Sequence, residues 1–127
     1  MSLNTKIAMV GAALAVAGVA ATASALPAEA APAAKKLVAT VGPGYTISLR
    51  TTAGTRVRSV KAGLYTITVR DRSSEHNFHL LGPGVNKTTS VDDVVTKTWR
   101  VRIVRGKTYR FVCDPHAEMM RGSFRGR

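Results

Sequence analysis

The sequence has one cysteine, Cys113, among 127 residues, so no disulfide can form within the chain. Acidic residues are scarce: seven stand against nineteen lysines and arginines. Asp114 and Glu118 have no partner acid or base beside them, which gives no pattern for acid–base catalysis; they are read as tuning local charge. Aromatic residues make up 6% of the chain, and none is expected at an outward strand position, where single-strand nucleic-acid binders stack bases. Arg100, Arg102, Arg105, Lys107 and Arg110 lie at strand spacing among apolar residues, outside any base-reading motif, so nucleic acid is not the expected partner. No twin-arginine pair occurs. From Leu37 onward there is no helical period and no internal repeat.

The apolar run from Ile7 to Ala23 is the longest in the chain, yet it is rich in alanine rather than leucine. It falls short of the roughly 20 strongly apolar residues that a membrane span requires. Lys6 precedes it, and the small-residue triplets Ala23-Ser24-Ala25 and Ala28-Glu29-Ala30 follow. That order fits a secretory signal peptide cleaved by about Ala31. With no cysteine near the cleavage region to carry a lipid, the mature protein is expected to be free in the periplasm or outside the cell. The expected organisation is a signal over residues 1–31, a short linker over 32–36 and one domain over 37–127. Processing removes one lysine and one glutamate, so the net charge of +12 survives. Such a charge favours acidic protein partners and weak association with an anionic cell envelope.

The rest alternates with a period of two. Leu37 to Val41 reads as a first strand, ended by Gly42-Pro43-Gly44. Tyr45, Ile47 and Leu49 then share an inward face, followed by a short strand over Arg56 to Val60. Tyr65, Ile67 and Val69 face inward next, and His76, Phe78 and Leu80 fall on one face. Asn86 to Thr96 reads as a polar connection with room for one helical turn. Trp99, Val101 and Ile103 face inward, then Tyr109, Phe111 and Cys113, and Met120, Gly122 and Phe124 close the chain in one phase. About seven short strands, with turns every eight to twelve residues, predict an all-β antiparallel sandwich.

Chemistry concentrates in Cys113-Asp114-Pro115-His116-Ala117-Glu118-Met119-Met120. A thiolate, an imidazole and a weak thioether donor are what a mononuclear copper electron-transfer site uses, completed by a second imidazole. His76 is the candidate for that role, being far off in sequence and in phase with buried neighbours. A thiolate next to Phe111 in apolar surroundings needs a metal to offset the loss of hydration. The simpler alternative, an inert buried thiol, leaves the adjacent histidine and methionine without a reason. Asn77 is placed to tie the two ligand segments together. His79, out of phase with His76, is read as a surface histidine, with a secondary copper contact as the alternative.

His76-Asn77-Phe78 with Cys113-Asp114-Pro115-His116 and a closing Met-Arg-Gly resembles the cupredoxins, the plastocyanin, amicyanin and azurin group of blue copper proteins. The resemblance covers nearly the whole domain. It implies a Greek-key β-sandwich, one copper ion held by His76, Cys113 and His116, and single-electron transfer between redox proteins. It implies no enzyme, and a monomer is expected. Met119 or Met120 completes the set by loop length; the shared phase with Phe124 favours Met120. A copper carrier with the same ligands and a metal-free binding module are the competing readings. By the same resemblance, electrons enter at His116 through an apolar patch made by Pro115, Ala117 and the Gly82-Pro83-Gly84-Val85 turn.

Overall fold

The computed structural model describes residues 10–30 and 33–127. Residues 10–30 form no helix or strand, and among the described residues no helix is long and apolar enough to cross a membrane. Lys6 and the expected boundary at Ala31 lie outside the described residues.

The described residues form nine strands: β1 (Lys35–Val41), β2 (Ile47–Thr51), β3 (Ser59–Val60), β4 (Gly63–Asp71), β5 (His79–Gly82), β6 (Val85–Thr88), β7 (Val95–Ile103), β8 (Thr108–Val112) and β9 (Arg121–Gly126). They form two sheets, ordered β2-β1-β4-β7 and β3-β9-β8-β5-β6. The fold is the expected β-sandwich, with a difference in detail: β1 pairs with β4, and β3 with β9, in parallel. The other pairings are antiparallel.

Alternation decides the faces. Tyr65, Ile67 and Val69 of β4 and Trp99, Val101 and Ile103 of β7 are buried between the sheets, while Arg100 and Arg102 remain exposed. Phe78, Leu80, Tyr109, Phe111 and Phe124 supply the facing layer. Phe78 stacks on Phe111 with ring centroids 5.5 Å apart, and Tyr109 on Phe124 at 5.3 Å. Each such ring contributes on the order of 1.5–3 kcal/mol by leaving water. Gly122 of β9 faces Phe111 across the pairing. A Cβ there would collide with the Phe111 ring, which is why the Met-Arg-Gly closing sequence needs its glycine.

Two segments depart from the expected pattern. Asn86 to Thr96 contains no helical turn: β6 runs to Thr88, and β7 begins at Val95. The hairpin pairing of β6 with β5 satisfies backbone groups that a free polar loop would leave to water. Tyr45 is not the first inward residue of β2. It belongs to the preceding turn and is 65% exposed.

One rung of the second sheet organises the site. His79 of β5 lies opposite Val112 of β8, and Val112 lies opposite Arg121 of β9. The residues just beyond that rung are Phe78, Asn77 and His76 on one strand's approach, Cys113 on the next, and Met120 on the third. Three strand ends therefore converge at one end of the sandwich. Gly82 lies at the other end of β5, where a Cβ would meet Tyr109.

Candidate metal centre

Cys113 is fully buried, and the chain turns immediately after it. Asp114–His116 forms a single turn of 3-10 helix with Pro115 near its start. The His116 amide donates to the Cys113 carbonyl at 3.0 Å, and the Met120 amide to the His116 carbonyl at 2.9 Å. The Cys113 amide then donates to the Met120 carbonyl at 2.9 Å, closing the loop on itself. These backbone bonds fix His116 relative to Cys113 without help from a side chain.

His76 arrives from an irregular segment secured on both sides. Thr89 donates its hydroxyl to buried Asp71 and accepts the Phe78 amide at 2.8 Å. Burial pushes the Asp71 carboxyl above its ordinary value, and the Thr89 bond offsets part of that shift. Asn77 joins the two ligand segments. Its carbonyl oxygen accepts the Asp114 amide at 2.8 Å, and its Nδ2 donates to the Asp114 carboxylate at 2.7 Å and to the Thr88 hydroxyl at 2.9 Å. This is the tie expected from its place in the sequence.

The result is a tight cluster of three donor atoms. His76 Nδ1 and His116 Nδ1 are 3.0 Å apart, and Cys113 Sγ is 3.7 Å from the first and 3.6 Å from the second. The centre of that triangle is roughly 2.0 Å from each corner, close to a metal–imidazole bond and slightly short of a metal–thiolate bond. Among the described residues these three form the candidate metal-binding group. A trigonal set of two imidazoles and one thiolate is the copper pattern rather than one for a hard, oxygen-seeking ion. Met120 is fully buried beside this loop, whereas Met119 is 67% exposed.

No family model matches the chain, and no curated protein matches its sequence. Among solved structures it is similar to reduced rusticyanin, determined by NMR, with a TM-score of 0.51 and 18% identity. The match covers 72% of this chain and 76% of that one. The chain has the cupredoxin fold. At that identity the likeness speaks for the fold alone; the donor triangle is a property of this chain's own residues.

In this cupredoxin fold His79 is not the solvated side chain its phase suggests. It is half-buried, with Nδ1 2.9 Å from the Asp114 carboxylate and Nε2 2.7 Å from Asn86 Oδ1. Burial alone would lower its pKa, but the bonds to Asp114 and Asn86 outweigh that and raise it above the ordinary 6.5. The Asp114 carboxyl, which burial alone would raise, is held below 3.8 by His79 and Asn77. The pair's stabilisation is thus complete between those two ordinary values. It is lost as pH rises through the elevated His79 pKa or falls through the depressed Asp114 pKa. In an NMR titration of the metal-free protein, His79 is expected to titrate above 6.5, and Asp114→Asn should bring its midpoint down. An unmoved midpoint would mean the pair does not form in solution.

Tyr45, expected on the inward face with Ile47 and Leu49, stands instead at the metal centre. Its ring meets His76 edge-on at 5.3 Å and His116 at 4.9 Å. The available signal was the Gly42-Pro43-Gly44 turn before it, which marks a loop tip rather than a strand start. The second such turn, Gly82-Pro83-Gly84, was the one expected beside His116, and it lies at the opposite end of β5. That expectation is corrected because β5 begins after His76 and runs away from the site. Val85 is also buried rather than part of a surface patch.

Proposed function

We propose that this protein is an exported type 1 copper protein that carries single electrons between redox partners. The observation that carries the reading is the triangle of His76 Nδ1, His116 Nδ1 and Cys113 Sγ at 3.0–3.7 Å. Copper, when bound, supplies a one-electron couple between its Cu(I) and Cu(II) states. The chain's part is to keep the donors in one arrangement for both states. Backbone bonds within the Cys113–Met120 loop and the Asn77 bridge support that role, since neither depends on a metal to form.

Burial of Cys113 and His76 keeps water from competing for the donors. Met120 is assigned as the weak fourth donor because it is buried and Met119 points to solvent. Met120→Leu should raise the reduction potential by removing a donor to the oxidised state, while Met119→Leu should leave it nearly unchanged. The reverse ranking, measured by voltammetry, would move the role to Met119.

The surplus positive charge is unneutralised at close range. Among the described residues the single salt bridge is His79–Asp114, so no lysine or arginine is paired with a carboxylate. That supports acidic redox partners, attracted from a distance.

The test is a titration with Cu(II) followed by repeated reduction and oxidation in the presence of a copper chelator. One copper per chain, an intense visible band and retention through many cycles are expected. Ready release to the chelator would instead favour a copper carrier, and no tight binding would leave a metal-free module.

A further inference from the structure

We propose that Tyr45 is a positioning residue of the metal centre, clamping the two ligand imidazoles and covering them against small solutes. The proposal rests on the copper reading of His76, Cys113 and His116 for its second half only.

The three rings form a closed cluster. Tyr45 meets His76 with an interplanar angle of 61° and His116 with one of 88°, while the histidines meet each other at 4.7 Å and 71°. Edge-to-face contact is the favoured geometry for such rings. A ring wedged against both imidazoles restricts rotation of either away from the position where their Nδ1 atoms converge. His116 needs this more than His76, since it is only half-buried and sits on a short turn.

The loop carrying Tyr45 is built for that placement. Gly42 and Gly44 have φ of 62° and 73°, values that favour glycine. A Cβ on Gly42 would come within 2.7 Å of Ser73 Cβ, so the turn lies directly against the segment that leads to His76. The Arg72 amide donates to the Val41 carbonyl at 3.0 Å at the base of the same contact. Across the loop, the Gly42 amide donates to the Thr46 carbonyl at 2.8 Å, and the Thr46 amide to the Gly44 carbonyl at 2.9 Å. A large ring left 65% exposed at the tip of a braced loop is costly to hydrate, and nothing in the core uses it. Its contacts are with the two histidines.

Two measurements separate the halves of the proposal. In the metal-free protein, the ring protons of His76 and His116 should show ring-current shifts in the NMR spectrum. Tyr45→Ala should collapse those shifts and Tyr45→Phe should preserve them; shifts unchanged in Tyr45→Ala overturn the clamp. With Cu(II) loaded, Tyr45→Ala should bind azide at a roughly tenfold lower concentration, and with Cu(I) it should lose metal to a chelator about tenfold faster. Tyr45→Phe should match the unaltered protein in both. Equal azide affinity and equal release in Tyr45→Ala overturn the covering role. If the unaltered protein fails to bind copper, the function proposed above falls and takes the covering role with it, while the metal-free spectra still decide the clamp. Tyr45 is on the surface and outside every strand, so neither variant threatens folding.

Discussion

Cys113→Ser is expected to abolish the intense visible absorption of the Cu(II)-loaded protein and to weaken copper binding by more than tenfold. The sulfur is the one anionic, polarisable donor in the triangle, and the colour of such a site comes from charge moving between thiolate and metal. A serine hydroxyl stays protonated at neutral pH and offers a neutral oxygen in its place. The fold should survive. The hydroxyl is close in volume to the thiol, and the two imidazole nitrogens 3.6–3.7 Å from the sulfur are ready hydrogen-bond partners for it. Loss of colour with an unchanged unfolding curve is therefore the expected pair of results. Colour that persists in the serine variant would remove Cys113 from the centre and sink the type 1 assignment.

Asn77→Ala should lower both stability and metal affinity, without touching a ligand. It removes three hydrogen bonds at once and takes the acceptor from the Asp114 amide, while the exposed Thr88 hydroxyl keeps its bond to the Thr89 carbonyl. An unpaired buried group costs roughly 1–3 kcal/mol; with Thr88 and Asp114 both open to water, a loss within about that range in total is expected by chemical denaturation. Copper affinity should fall about 10–100-fold, the usual effect of removing a group that orients ligands. Asn77→Asp should be worse at neutral pH, since it sets a second carboxylate against Asp114, and should recover in acid as that carboxyl takes up a proton. If both variants keep native stability and affinity, the His76 and Cys113 segments are held together by something other than Asn77.

The strands on either side of the site were legible because period-two alternation reports burial directly. Ile67, Val101 and Phe111 alternate with exposed or half-exposed neighbours, and each sits in the core. β6 was not legible, because Asn86, Lys87 and Thr88 form an edge strand with little to bury. An edge strand is held by its backbone pairing with β5, which leaves no pattern in the side chains. His79 was misjudged for a related reason. Its phase places it away from His76, but what half-buries it is Asp114, thirty-five residues on, and only the pairing of β5 with β8 brings that carboxylate near.

By itself the sequence determined the donor types, the inward phase of Cys113 and Met120, and the all-β class. Each of these is a local property: residue chemistry and alternation along one strand. Only the tertiary structure decided that the ends of β8 and β9 and the approach to β5 share one rung, and so that His76 and Cys113 meet. It also decided which of two Gly-Pro-Gly turns stands beside the histidines. Those turns look alike in sequence because a turn's chemistry specifies its own backbone and nothing about where its strand leads. Strand order and direction come from burying both sheets at once, a condition on the whole chain that no short stretch encodes.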